Sequence, residues 1–139
     1  MESLNRLVRR WANEDVMPVA IPEPDEVRRT FADLGSTITP DVLAMYQAIG
    51  GMENMDGELF RIWPLAEVRS EQGQKSGAGI LFADYLIWSW CYRVRPVDSA
   101  RSAVYIDYFD HRGPLLVAES VEAFFDAYLA DPTFLYSCG

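Results

Sequence analysis

The sequence is short of the residues on which much enzyme chemistry depends. It holds one histidine, His111, and two cysteines, Cys91 and Cys138. Two cysteines build no disulfide framework, and they do not stand at a metal-ligand spacing. The expected compartment is therefore a reducing one, the cytoplasm, and no cofactor or metal is expected. Basic residues are also scarce. Twelve Lys and Arg face 21 Asp and Glu, a net charge of −9. A nucleic-acid binder needs cationic groups to displace counterions from phosphates, so this balance argues against direct nucleic-acid binding. It suits a basic protein partner, because opposite charge steers encounter. No apolar run approaches the ~18 residues of a membrane span. The opening MESLNRLVRRWANEDV carries no apolar stretch after its basic residues and does not read as a signal peptide. No G-x-S-x-G, P-loop or paired-carboxylate signature is present, and Gly77-Ala78-Gly79 has neither the preceding strand nor the following helix of a dinucleotide fingerprint.

What remains is rich in apolar and aromatic residues, enough for one domain over 1–139 with a sizeable core. Leu4, Leu7, Val8 and Trp11 fall at helical spacing and predict a first helix over about 2–13. Its arginines, Arg6, Arg9 and Arg10, read as a solvated face. Pro18, Pro22 and Pro24 make Met17 to Pro24 an extended connector. A second helix is expected from Pro24 to Leu34, closed by Gly35 and burying Val27, Phe31 and Leu34. A third starts at Thr39 as N-cap, with Pro40 in the first turn, and ends at Gly50-Gly51 by a left-handed glycine cap.

The period then changes. Leu59 to Trp63 reads as a strand, Leu65 to Val68 as a short helical turn, and Ser70 to Gly79 as a mobile polar loop. Ile80 to Phe82 and Tyr85 to Arg95 read as strands. Alternation places Leu86, Trp88, Trp90 and Tyr92 on one face and Ile87, Ser89, Cys91 and Arg93 on the other. Ala103 to Phe109 is another strand, Asp110 to Gly113 a hairpin loop, and Leu115 to Ala118 the returning strand. Ser120 caps a last helix that buries Val121, Phe124, Phe125, Tyr128 and Leu129, and Thr133 to Gly139 is a tail. Helices, then an antiparallel meander, then a closing helix define an α+β fold, a largely antiparallel sheet backed by helices.

The order of these motifs resembles the SMI1/KNR4 family, the SUKH superfamily of bacterial immunity proteins. The segment Ile38 to Gly51 (ITPDVLAMYQAIGG) resembles the family's helix ending in a glycine pair. Thr39 interrupts its usual Leu-Pro, and Gly50 stands where Asn often stands. Leu59 to Val68 (LFRIWPLAEV) matches its strand ending in tryptophan and the short acidic helix. Leu81 to Tyr85 resembles a central strand with an aspartate, and Val117 to Leu129 the closing helix. The likeness runs from about Ile21 to Leu129, with the helix at 2–13 as an addition. It implies a non-catalytic partner-binding protein that occludes a polymorphic toxin, often a nuclease. Eukaryotic relatives act in cell-wall signalling, which leaves open a regulatory adaptor with a non-toxin partner. A small-molecule or nucleotide-binding domain is the alternative from another class.

Candidate contact residues come from aromatics and acids that neighbour each other. Trp63 and Trp88 are hot-spot types. Glu53, Asp56 and Glu58 form an acidic run without a base, and Asp84 and Asp107 lie on the strands. Together these seven are the expected partner-binding set. His111 sits in a polar turn and Cys91 inside a strand, so neither is expected to be catalytic.

Overall fold

Turn and cap chemistry places most of the elements. The computed structural model describes residues 1–73 and 78–135. Five α-helices, α1 (Glu2–Asn13), α2 (Pro24–Asp33), α3 (Pro40–Ala48), α4 (Leu65–Ser70) and α5 (Val121–Ala130), accompany five strands. These are β1 (Phe60–Ile62), β2 (Ile80–Tyr85), β3 (Trp90–Pro96), β4 (Ser102–Asp107) and β5 (Leu115–Ala118). The strands form one sheet in the order β1-β2-β3-β4-β5, every neighbouring pair antiparallel. The protein is thus α+β with an antiparallel meander. Among the described residues no helix is long and apolar enough to cross a membrane.

The helix α2 ends as its glycine predicts. Gly35 takes φ +79°, its N–H reaches the Ala32 carbonyl at 2.9 Å, and the Ser36 N–H reaches the Phe31 carbonyl at 2.9 Å. Ser120 caps α5 by accepting from the Ala123 N–H at 3.0 Å. At α3 the expected chemistry is corrected. The Thr39 hydroxyl does not cap the helix; it bonds the Asp41 carboxylate at 2.5 Å and the Ser102 hydroxyl at 2.7 Å. Asp41 also accepts from the Val42, Ser102 and Val121 N–H groups, at 2.9, 3.1 and 3.2 Å. One carboxylate therefore ties the starts of α3, β4 and α5 together. Nor does α3 end on a left-handed glycine, since its C-cap Ile49 is extended. Gly50 and Gly51 are needed for close packing instead. A Cβ on Gly50 would lie 2.2 Å from the Ala20 carbonyl oxygen, and one on Gly51, at φ +128°, would lie 2.5 Å from the Pro64 Cα.

The core lies between the sheet and the helices α1, α3 and α5. Phe60 sits at its centre, 5.4 Å from the Tyr128 ring, 5.9 Å from Phe124 and 6.0 Å from Tyr92. The helix α1 is part of this core, with Leu4, Leu7 and Trp11 fully buried and Trp11 stacked 6.4 Å from Phe60. Leu129, expected inside, is half-buried. Two expected loops are described only in part. Gln72, after α4, bonds the Leu81 N–H and carbonyl at 2.8 Å, which clips it to β2; only 74–77 of the Ser70–Gly79 segment lie outside the described residues. Pro132–Leu135 forms a 3-10 turn that buries Leu135, while 136–139, with Cys138, lie outside the described residues.

The largest departure is at 86–89. The expected continuous alternation from Tyr85 to Arg95 is interrupted by a turn, and Leu86, Ile87 and Trp88 all take left-handed φ, +49°, +50° and +66°. Trp90 and Tyr92 do share one face, and Cys91 and Arg93 the other, but 86–89 belong to neither.

Candidate functional site

The meander brings three connections to one end of the sheet: 53–59 before β1, the 86–89 turn, and 108–114 between β4 and β5. The first of these is pinned to the N-terminal region. The Asn54 side chain accepts from the Met17 N–H at 2.7 Å and donates to the Asp15 carbonyl at 3.2 Å. Glu14 accepts from the Gly57 N–H at 2.9 Å. Asp56 lies deepest, with a relative exposure of 4%. It accepts from Trp11 Nε1 at 2.7 Å, from the Tyr128 hydroxyl, and from the Glu58 and Phe60 N–H groups at 2.9 and 3.0 Å. Burial, then the Asp56 charge, push the Tyr128 hydroxyl pKa well above its ordinary value, so it stays a donor.

Directly opposed residues share a face, so Arg61, Asp84, Cys91 and Asp107 form one cross-strand row. Their neighbour Phe60 faces the helices, which puts this row on the other side of the sheet. The row is internally compensated. Arg61 pairs with Glu67 of α4 and with Asp84, at 3.1 Å to the latter. Trp63 Nε1 donates to Asp84 at 2.6 Å, and Arg93 Nε pairs with Asp107 at 2.8 Å. Burial alone would lower the Arg61 pKa; the Glu67 and Asp84 contacts reverse this and raise it. Burial, followed by the charges of Asp84 and Asp107, pushes the Cys91 thiol far up and leaves it inert.

Over this row the 86–89 turn folds back. Trp88 stacks with Trp63, 4.8 Å away, and with Phe109, 6.2 Å away. Left-handed backbone costs an L-residue roughly 1–2 kcal/mol, and three consecutive residues here carry no glycine. Leu59 and Phe109, flanking the turn, are also left-handed, at φ +70° and +59°. The Leu86 N–H bonds the Leu59 carbonyl at 2.9 Å, and Ser89 bonds back to the Tyr85 carbonyl at 3.0 Å. The result is a surface of large apolar groups: Ile87 is 75% exposed, Phe109 49%, Leu86 42% and Trp88 37%.

The seven expected contact residues divide accordingly. Glu53 is exposed, Glu58 half-buried and Trp88 partly exposed, all at this end. Asp56, Trp63 and Asp107 are buried, and each is held by hydrogen bonds to neighbouring side chains. Asp84 is buried too, held by Trp63 and Arg61, and is one of the residues around a small cavity. Sequence reading missed Leu86, Ile87 and Phe109. Their run of large side chains looks like strand, and no Gly, Asn or Pro marks the turn. His111 is exposed in the β4–β5 loop, beside an Asp110–Arg112 pair at 2.7 Å. The Arg112 contacts hold the Asp110 carboxyl below its ordinary pKa. Asp107 and Asp110 thus each have their own arginine. Among the described residues no group of three or more His, Cys, Asp or Glu is placed to hold a metal ion.

Fold and site together define a class: an α+β protein with a five-stranded antiparallel meander and a strained, apolar loop end. Comparison of the chain with protein-family models, with curated proteins and with solved structures finds no match.

Proposed function

We propose that this chain is a non-catalytic partner-binding protein of the SMI1/KNR4 type, which neutralises a basic toxin domain by covering it with the loop end of the sheet. The observation that carries this reading is the exposed cluster of Leu86, Ile87, Trp88 and Phe109 on left-handed backbone. Exposed apolar patches mark interaction surfaces. Strain of this kind persists where the displayed side chains serve a purpose, and folding alone supplies none for a 75%-exposed isoleucine. The net charge of −9 favours a basic partner, and the motif order from Ile21 to Leu129 favours this family's fold and role.

The experiment is a search of the gene's neighbours for a toxin domain, followed by protection of cells against it, with binding measured on purified proteins. The wild-type chain should protect, and Ile87→Asp should weaken binding by about thirtyfold or more while the far-UV spectrum stays unchanged. Absence of protection by the wild type would overturn the toxin reading. Unchanged binding by Ile87→Asp would remove this surface from the interface. A thermal-shift screen checks the ligand-binding alternative, which gains if a specific small molecule raises the melting temperature.

A further inference from the structure

Between the 53–59 connection and the 86–89 turn lies a cavity of about 240 Å³. Glu53, Asn54, Met55, Arg61, Asp84, Ile87 and Trp88 line it. Resting on the partner-binding reading, we propose that this cavity is a socket for one lysine or arginine side chain of the partner.

Three observations fix the occupant. The first is size. Drug-sized ligands occupy pockets of ~300–1,000 Å³, so this one suits a single side chain better than a metabolite. The second is charge. Among the described residues Arg61 is the one cation in the wall, and its guanidinium is committed. Nη1 donates to the Met52 carbonyl at 3.2 Å and to Glu67 at 2.9 Å, while Nη2 donates to Glu67 and to Asp84 at 3.1 Å. Those donors are not on offer to an incoming anion. Arg61 with Asp84, Glu67 and Glu53 sums to two negative charges, and Glu53 is exposed at the mouth. The third is the division of the wall into polar and apolar parts. Met55, Ile87 and Trp88 can cover the methylenes of a long basic side chain while its head pairs with Glu53 at the mouth, with the buried Asp84 charge behind it. Trp88 already stacks with Trp63 and with Phe109, and the socket works by charge and apolar contact.

The test needs no partner. Nα-acetyl-L-arginine methylamide is titrated into the intact protein at low salt, with the Trp88 indole N–H and the Asn54 and Ile87 signals followed by NMR. The neutral isostere, Nα-acetyl-L-citrulline methylamide, and the anion Nα-acetyl-L-glutamate serve as controls. The arginine probe should give saturable shifts at these residues, and the controls should not. Glu53→Gln, an exposed substitution, should weaken the arginine probe about threefold. Equal shifts from arginine and citrulline, or no shifts at these residues, would overturn the socket. If that happens while Ile87→Asp still abolishes toxin binding, the socket falls and the partner-binding reading stands. If the probe binds as expected but the protein protects against no toxin, the socket stands and the toxin reading falls.

Discussion

At position 87 glycine should be more stable than alanine, the reverse of the usual order. In ordinary backbone, glycine costs about 0.5–1 kcal/mol relative to alanine because it loses more freedom on folding. Ile87 stands at φ +50°, where any Cβ crowds the following carbonyl at about 1–2 kcal/mol. Ile87→Gly removes that crowding and Ile87→Ala does not. The difference, relief minus entropy, leaves glycine ahead by about 0.5–1 kcal/mol. Both variants delete the same exposed apolar group, so lost burial largely cancels between them. Against the wild type, which carries the same crowding, Ile87→Gly should also gain about 0.5–1 kcal/mol, less the little burial that a 75%-exposed side chain loses. The measurement is urea unfolding by far-UV circular dichroism, which avoids the tryptophans near the turn. Slopes should match, with the midpoint of Ile87→Gly above that of Ile87→Ala and the melting temperature higher by about 2–4 °C. Arg9, exposed in the interior of α1, supplies the control, where Gly should fall below Ala by about 1 kcal/mol. If Ile87→Ala equals or exceeds Ile87→Gly, the turn is not strained and the argument for its purpose fails.

The other predictions concern buried groups and surface charge. Asp56→Ala strands the Trp11 indole, the Tyr128 hydroxyl and two backbone N–H groups, and should cost at least about 3 kcal/mol in urea unfolding; a loss under about 1 kcal/mol would mean that this carboxylate does not hold the loop. Charge reversal of the acidic run must therefore spare Asp56. Glu53→Lys with Glu58→Lys should keep the fold and slow association with a basic partner about tenfold at low ionic strength, an effect that added salt erases. In a Cys138→Ser background the Cys91 thiol should react with a disulfide reagent at pH 8 only as fast as the protein opens. Prompt stoichiometric reaction would contradict its burial and its raised pKa.

Much of the fold was legible along the chain because its signals are local. Helical spacing at Leu4, Leu7 and Trp11 needs only a few residues to be read, as do Pro24 and Gly35 around α2, the Ser120 cap, and the polar loop between β4 and β5. These also gave the α+β order and the antiparallel meander. The candidate site was harder to read because it depends on residues far apart. Along the chain Asp56 reads as one acid of a partner-binding run. Its partners Trp11 and Tyr128 are 45 and 72 residues away, and only their convergence turns it into a buried tie. Gly50 and Gly51 read as a helix stop, but Ala20 and Pro64 are what forbid a side chain there. The 86–89 turn was invisible for a different reason. Leu, Ile and Trp favour extended backbone, so their local preference opposes the conformation they adopt. The stacking of Trp88 with Trp63 and with Phe109, together with the Leu59–Leu86 and Tyr85–Ser89 hydrogen bonds, accompanies the strained backbone. Local chemistry determined where chain segments coil, extend and stop. Which acids are sealed, which aromatics are displayed and where a basic side chain could enter were decided only when distant segments packed, because burial and charge pairing are properties of the whole fold.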